Sequence, residues 1–201
     1  LSQKKNSKCH PVEDYIDKAS LVNELKKELK MSGTEVPNSI VIGALGRVGS
    51  GACDLCETLG MKVTKWDIEE TKNSGTFHKI LDHDIFLNCI LATKDAPVFL
   101  SQKDIKKSRK LSVIGDIACD PDSDYNPIPI YNAPTTWSSP GLNIASNPPL
   151  DVMAIDNLPS LLPKESSIDF AEQLFPYLLE FDKKHNEVWE RSKAIFKQKI
   201  L

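Results

Sequence analysis

Four glycines lie close together at Gly43, Gly46, Gly49 and Gly51, directly after the short apolar run "SIVI". Missing side chains let a backbone approach a pyrophosphate closely, and a helix that begins there points amide N–H groups at the anion. An acidic residue, Asp67, ends the next apolar run, slightly more than ~20 residues downstream. Strand, glycine turn, helix, strand and acid occur in this order in dinucleotide-binding folds, so the pattern predicts a cofactor cradle.

The glycine spacing alone indicates a dinucleotide site less specifically than the strands, helix and acidic residue around it do. It is one residue longer than the strict G-x-G-x-x-G, and a glycine turn in an α/β protein that binds no nucleotide is the alternative. A carboxylate at Asp67 would accept hydrogen bonds from both adenosine ribose hydroxyls and repel a 2′-phosphate, which favours NAD over NADP. Arg47 would either reach a cofactor phosphate or lie solvated in the first helical turn.

The elements that must position these residues alternate between strand and helix. Strands are predicted over 39–43, 61–67, 84–90, 111–120 and 150–156. Helices are predicted over 14–31, 47–59, 97–108, 166–184 and 186–201. This alternation predicts an α/β fold with a Rossmann-like, doubly wound parallel sheet and C-terminal helices. The Pro-, Ser- and Asn-rich stretch 121–149 is predicted to be a long loop that carries function.

Further polar residues lie at the carboxyl ends of the predicted strands. Asp116, Asp120 and Asp156 would each contact a ligand there or cap a turn. Cys89 ends the third strand and has the same two interpretations, ligand contact or packing. Cys53 and Cys56 have the spacing of a redox pair, but we interpret them as small apolar residues on a helix face.

Composition excludes several classes of function. The 201 residues carry a net charge of −3, and they contain neither a dense basic run nor an apolar run of membrane-spanning length. We therefore expect neither a nucleic-acid nor a membrane partner. Five cysteines without zinc-like spacing are typical of a reducing compartment and predict a cytoplasmic protein. The four histidines show no metal spacing, so we expect them at the surface and assign no metal site. No residue presents itself as a proton-transfer group, and no catalytic residue is assigned.

Five stretches together resemble the NAD-dependent, lysine-forming saccharopine dehydrogenase family. They are IGALGRVGSGACDL, KWDIEET, NCI, NPIPIY and IDNLPSLLPKE. The corresponding family stretches read close to GALGRCGSGA, KWDIKET, NCI, NPIPIY and IDHLPSLLPRE, and the match is collinear from about Tyr15 to the C-terminus. The resemblance implies an enzyme that cleaves saccharopine oxidatively to lysine and 2-oxoglutarate with NAD, the last step of the α-aminoadipate route of lysine biosynthesis.

The resemblance also implies a second α/β domain that has no counterpart in this sequence. In the family, that N-terminal domain carries the catalytic lysine and histidine. The chain begins at Leu1 with a polar stretch, which indicates an internal segment of a longer protein. We expect an interdomain linker and helix over 1–36, the NAD-binding domain over 37–186, and over 187–201 a helix that docks on the N-terminal domain. The chain alone is expected to be monomeric and unable to turn over.

Carried over by motif, the resemblance implies which residues contact cofactor and substrate. Gly46 and Arg47 would meet the pyrophosphate, and Leu91 and Ile117 would line the nicotinamide side. The residues expected to contact NAD are Gly43, Gly46, Arg47, Gly49, Asp67, Thr71, Leu91, Ile117, Ile155, Asp156, Asn157 and Leu158. The residues expected to border the saccharopine pocket are Ala118, Cys119 and Asp120, and Asp156 could also touch substrate.

Three positions depart from the family pattern, and two other functions stay open. Val48 replaces a loop cysteine, which makes a disulfide to Cys89 impossible. Leu91 stands where a tyrosine is common, and Asn157 replaces a usual histidine, so we expect the details of cofactor contact at these two positions to differ from the family pattern. The alternatives are another amino-acid dehydrogenase of the alanine dehydrogenase type and a non-catalytic protein that binds NAD or a partner.

Overall fold

A computed structural model of the chain describes residues 9–72, 77–183 and 186–200. The chain forms two compact units. The first holds Ala19–Leu158 and the described residues before Asp14, and it contains one six-stranded sheet. The second holds Asp14–Lys18 and the described part of Pro159–Leu201. The predicted functional division of the chain at residues 36 and 186 stays a prediction.

The sheet confirms the predicted Rossmann-like α/β fold. The strands are β1 (Ser39–Ile42), β2 (Val63–Trp66), β3 (Ile85–Asn88), β4 (Val113–Asp116), β5 (Leu142–Ser146) and β6 (Pro149–Met153). Their order in the sheet is β2-β1-β3-β4-β6-β5, and every pair is parallel except β5 with β6. The helices are α1 (Lys18–Ser32), α2 (Arg47–Thr58), α3 (Ile68–Thr71), α4 (Pro163–Leu178) and α5 (Glu187–Ile200). Short 3-10 turns cover His78–Asp82, Asp104–Lys106 and Leu158–Leu161.

All four residues of β1 are buried, which is consistent with its mainly apolar sequence. Ile40 and Ile42 pack into the larger core on one face of β1, whereas Val41 packs with Cys53 of α2 on the other. Cys53 and Cys56 are buried free thiols, as the packing interpretation predicts. The sheet is therefore held from both sides, and its carboxyl edge presents the turns that follow the strands.

The predicted lysine-rich helix over 97–108 is wrong. Only one 3-10 turn forms there, at Asp104–Lys106. The Asp104 carboxylate accepts hydrogen bonds from the N–H and the hydroxyl of Ser101, and such local bonds compete with helical ones. In addition, Phe99 N–H donates to the Pro127 carbonyl 2.8 Å away, so its backbone is already paired with a distant loop.

The long loop predicted over 121–149 is partly wrong as well, because β5 lies within it. This exposed edge strand pairs only with β6, and its Asn- and Ser-containing sequence shows no buried-strand pattern. The first part of the stretch is an ordered loop that packs into the core. Ile128 and Tyr131 are buried, and Asn126 Oδ1 accepts a hydrogen bond from Ile128 N–H. This packed loop covers the core beside the sheet.

The second unit consists mainly of α4 and α5. Pro163 occupies the first turn of α4, where its missing N–H costs no helical hydrogen bond. Trp189 of α5 donates its indole N–H to the Tyr177 carbonyl 3.0 Å away and meets Phe181 edge to face. Neither helix contains a buried residue among those described, and large apolar side chains stay exposed on both.

Candidate cofactor site

The glycine turn after β1 is shaped by two close backbone approaches. Gly43 has φ +84, a left-handed conformation that favours glycine, and a Cβ there would lie 2.9 Å from the Cys89 carbonyl carbon. A Cβ on Gly49 would overlap the Gly43 carbonyl oxygen and lie 2.6 Å from its carbon. Gly51 has open space around it. The turn therefore requires glycine at position 43 because of its left-handed backbone, and at position 49 because a side chain there would overlap the Gly43 carbonyl.

The N-terminus of α2 opens directly behind this turn. Gly46 is the N-cap residue, no side chain caps the helix, and no acidic residue lies in its first turn. The first amides of a helix have no intrahelical acceptor, and they carry the positive end of the helix dipole. Arg47 is exposed at the same place. These features together form a site that fits a pyrophosphate.

Asp67 follows β2 and lies beside the glycine turn. Its Oδ2 accepts a hydrogen bond from Leu45 N–H and its Oδ1 from Ile68 N–H, each at 2.9 Å. Glu70 Oε2 accepts from Asp67 N–H at 2.8 Å, which completes a capping box at the start of α3. A carboxylate has about four acceptor positions. Because the Glu70 N–H also donates to this carboxylate in the capping box, about one position on Asp67 is left for a ribose hydroxyl.

A cleft of about 750 Å³ lies at the carboxyl edge of β1, β2 and β3. Five of the predicted NAD contacts line it: Gly43, Gly46, Asp67, Thr71 and Leu91. Cys89, for which ligand contact was one of the two interpretations, also lines the cleft. The other lining residues were not predicted; they are Ile68, Lys72, Ile90, Thr93, Lys94, Asp95, Ala96, Pro97 and Phe99. Most of the missed residues directly follow β3, and the position of that segment after a parallel strand was the available signal.

Three side chains of the cleft have distinct environments. Thr71 is buried and donates its hydroxyl to the Asp67 carbonyl, 2.8 Å away, so it supports α3 as well as lining the cleft. Leu91 is 91% exposed and presents an apolar side chain to the opening. Burial raises the pKa of the Cys89 thiol to about 12, so this cysteine is protonated and poorly nucleophilic at neutral pH.

A second polar cluster lies at the ends of β3 and β4. The Asp116 carboxylate is 1% exposed and accepts hydrogen bonds from the Tyr131 hydroxyl at 2.6 Å and from Asn88 Nδ2 at 2.9 Å. Burial raises the pKa of Tyr131, and the carboxylate raises it further. Asp116 is therefore held inside the protein between a loop residue and a strand residue, and it does not cap a turn.

The cleft is not lined by Arg47 and Gly49 of α2 or by the predicted contacts that follow β4 and β6. Cys119 has φ +46, an uncommon conformation for a non-glycine residue, and its thiol donates to the Ala154 carbonyl 3.1 Å away. Asn157 has φ +63, which asparagine tolerates better than most residues. The residues placed in these two turns are Ile117, Ala118, Cys119, Asp120, Ile155, Asp156, Asn157 and Leu158. Their roles toward NAD and substrate stay predictions.

One prediction about the histidines is wrong. His83 is 7% exposed, and its ring nitrogens lie 2.8 Å from Thr64 Oγ1 and from the Lys79 carbonyl oxygen. His10 and His78 are exposed as predicted, and His185 lies outside the described residues. Over residues 9–72, 77–183 and 186–200, no group of three potential ligands is arranged to hold a metal ion. Within the same ranges, no helix combines the length and apolarity needed to cross a membrane.

Several known enzymes are similar to this chain over most of its length. The relatives include saccharopine dehydrogenases of the NAD(+), L-lysine-forming type from Yarrowia lipolytica (41% identical over 94% of this chain) and Schizosaccharomyces pombe (39% over 97%). The corresponding enzyme of Candida albicans is 41% identical over 88% of this chain. These alignments cover 54%, 56% and 48% of the relatives, so the chain spans about half of their length.

A model of a protein family matches the chain from residue 72 to residue 201. The C-terminal domain of alanine dehydrogenase/PNT matches residues 72–201, which begin after the glycine turn and Asp67. The assignment therefore does not depend on the glycine motif, and the motif supports it independently. The chain belongs to the alanine dehydrogenase/PNT C-terminal domain family and is similar to the NAD-dependent, lysine-forming saccharopine dehydrogenases.

Proposed function

We propose that this chain is the NAD-binding half of an enzyme that cleaves saccharopine oxidatively to lysine and 2-oxoglutarate. The observation that carries the proposal is the cleft in which an uncapped helix N-terminus and the Asp67 carboxylate face the same space. The similarity to enzymes named for this reaction supplies the substrate class. The proposal also assigns the chain to lysine biosynthesis in the cytoplasm, and the five free cysteines support a reducing compartment.

The residues of the cleft are assigned to binding and orientation. The first amides of α2, with Arg47 beside them, would hold the pyrophosphate, and Gly43 and Gly49 keep that space free of side chains. Asp67 would accept a hydrogen bond from the adenosine ribose and exclude a 2′-phosphate. The turns after β3, β4 and β6 would enclose the nicotinamide and the substrate. Bound NAD supplies the hydride acceptor for oxidation of the substrate C–N bond.

Proton transfer is assigned to residues outside this chain. The residues proposed to border the substrate include Asp120 and Asp156, which are exposed, but no histidine or lysine accompanies them in the turns after β4 and β6. We propose that α5, whose Ile195 and Phe196 are at least half exposed, docks on the domain that carries the catalytic lysine and histidine. The chain alone would then bind NAD as a monomer without turning over.

The first experiment is a fluorescence titration of the chain with NADH and, in parallel, with NADPH. We expect NADH to bind more tightly than NADPH, and Asp67→Ala to weaken NADH by about tenfold, since a hydrogen bond to a charged group contributes about 1.5–3 kcal/mol. Asp54→Ala is the matched control, because Asp54 is an exposed aspartate on α2 that does not line the cleft. NADH affinity that is equal in wild type and Asp67→Ala would contradict the proposed site.

A second experiment tests the substrate. The chain is joined to the amino-terminal half of the Yarrowia lipolytica relative, and NAD reduction is followed with saccharopine or with alanine. Reduction with saccharopine supports the proposal, whereas reduction with alanine alone supports an amino-acid dehydrogenase of the alanine dehydrogenase type. A folded chimaera that binds NADH and reduces NAD with neither substrate would indicate a non-catalytic NAD-binding protein.

A further inference from the structure

The buried cluster of Asn88, Asp116 and Tyr131 connects three separate parts of the first unit. Asn88 ends β3 and Asp116 ends β4, and the two residues are direct partners in the parallel register. Tyr131 belongs to the packed loop that follows, and its hydroxyl reaches Asp116 Oδ2 at 2.6 Å. All three residues are at least nine-tenths buried. The carboxylate thus ties the loop to the two strands at the carboxyl edge of the sheet.

Burying polar side chains in this space has a free-energy cost that apolar side chains would not have. Burying a carboxylate requires donors for its lone pairs, and an apolar cluster of similar volume is often no less stable. Asn88 Oδ1 has no hydrogen-bond partner among the described residues, so even the completed cluster leaves one buried acceptor unpaired. Packing alone therefore gives no reason for this set of side chains, whereas a requirement for exact placement of the adjoining backbone does.

The adjoining backbone forms the two turns that follow the strands. Ile117 N–H donates to the Asn88 carbonyl at 2.9 Å, so the turn after β4 is bonded to the same strand end. Cys89, the residue after Asn88, lies against Gly43 and lines the cleft. A shift of the cluster would therefore move the turn that begins at Ile117 and the segment from Cys89 to Leu91 together.

The strand order indicates which half of a dinucleotide lies above these turns. The chain runs from β1 outward to β2 and then returns to β3 on the other side of β1, which makes the space between β1 and β3 the topological switch point. A dinucleotide binds across such a point. The carboxylate that fits the adenosine ribose follows β2, so the nicotinamide half extends toward the ends of β3 and β4.

We infer that Asn88, Asp116 and Tyr131 are positioning residues that hold the wall of the site on which the nicotinamide half of NAD binds. The inference rests on the proposed NAD site. The cluster does not touch the cofactor cleft itself; it acts through the turns at Cys89 and Ile117. Its loss should therefore weaken the binding of the nicotinamide half and leave the binding of the adenosine half unchanged.

The test compares NADH with ADP-ribose, which lacks the nicotinamide, on the whole 201-residue chain. Tyr131→Phe removes only the hydroxyl that donates to Asp116. We expect this variant to bind NADH about tenfold more weakly and ADP-ribose within about twofold of the wild type. Tyr125→Phe is the matched control, because Tyr125 is an exposed tyrosine of the same loop, and this variant should leave both affinities unchanged.

A second variant keeps the inference testable if Tyr131→Phe does not fold. Asp116→Asn preserves the shape of the side chain and an acceptor for the Tyr131 hydroxyl but removes the charge. It should produce the same selective loss of NADH affinity, with the melting temperature of each variant measured in parallel.

The outcomes separate this inference from the proposed NAD site. Equal losses for NADH and ADP-ribose, or no loss for either, would overturn the positioning role. In that case Asp67→Ala still tests the cofactor site, since it should weaken both ligands. If Asp67→Ala changes neither affinity, the NAD site is wrong and the inference falls with it.

Discussion

The glycine turn and the buried cluster of Asn88, Asp116 and Tyr131 are built on opposite principles. The glycine turn leaves space: its donors are backbone amides, and side chains are missing at Gly43 and Gly49. The buried cluster fills space: a tyrosine, a carboxylate and an amide are buried together and joined by hydrogen bonds. The first region is damaged when atoms are added, whereas the second is damaged when a single hydrogen-bond donor is removed.

This contrast also separates what each region can specify. Backbone donors at a helix N-terminus bind any phosphate group of suitable shape, so they confer affinity for an anion. Side chains bonded in one arrangement fix the position of the turns beside them, which is what a reacting ring requires. Together, the glycine turn would bind the phosphates of the cofactor, and the buried cluster would orient its reacting ring.

The largest effect is expected from adding a methyl group to the glycine turn. Gly49→Ala places a Cβ where the Gly43 carbonyl already lies, and backbone cannot rotate away as a flexible side chain can. We expect the free energy of unfolding to fall by about 3 kcal/mol and NADH binding to be lost. Urea denaturation and the NADH titration measure the two effects.

Gly51→Ala is the control for this variant, since it adds the same methyl group two residues further along α2. Its Cβ meets nothing within 4 Å. Alanine within a helix is favoured over glycine by about 0.5–1 kcal/mol, so this variant should be slightly more stable than the wild type. Similar destabilisation by both substitutions would show that the contact at Gly43 is not the cause.

A smaller loss of stability is expected when a donor is removed from the buried cluster. Tyr131→Phe leaves Asp116 Oδ2 buried without its hydroxyl donor. The free energy of unfolding should fall by about 1–3 kcal/mol, the usual cost of an unsatisfied buried polar group. Urea denaturation of the Tyr125→Phe control should give the wild-type value. An unchanged stability for Tyr131→Phe would mean that water or another donor replaces the hydroxyl.

The smallest effect concerns the reactivity of a single thiol near neutral pH. Cys89 lines the cleft, but burial raises its pKa from 9.0 to about 12, so the reactive thiolate is scarce below that pH. We expect iodoacetamide at pH 8 to modify the exposed Cys9 well before Cys89, as followed by peptide mass spectrometry. As the pH rises from 9 toward 12, Cys89 should gain reactivity later than an ordinary thiol. Fast labelling of Cys89 at pH 8 would contradict this.

The same pKa shift has a consequence for stability at high pH. The protonated thiol is favoured in the folded state, so the contribution of Cys89 to stability is complete below pH 9 and is lost as the pH rises toward 12. Cys89→Ser should therefore narrow the difference in stability between pH 8 and pH 11. Equal pH dependence in the variant and the wild type would indicate that another group controls this range.

Local patterns were sufficient for some parts of the molecule and insufficient for others. The apolar runs of β1 and β3 and the glycine turn that precedes α2 follow from residue types within a few positions. The segment 97–108 has helix-forming residues, but Asp104 and the distant Pro127 carbonyl compete for its backbone amides. His83 likewise gave no local sign of burial, because its partner Thr64 lies in β2, far away in the sequence.

The sequence by itself determined the class of fold and the glycine and aspartate pair that indicates a dinucleotide, because these depend on short-range geometry and on the spacing of strand, turn and helix. Only the tertiary structure decided that Asp67 is pinned by Leu45 and Ile68 beside an open cleft, and that Asp116 is enclosed by Asn88 and Tyr131. The reason is physical: whether a carboxylate faces a ligand or the core depends on the donors that distant segments bring to it.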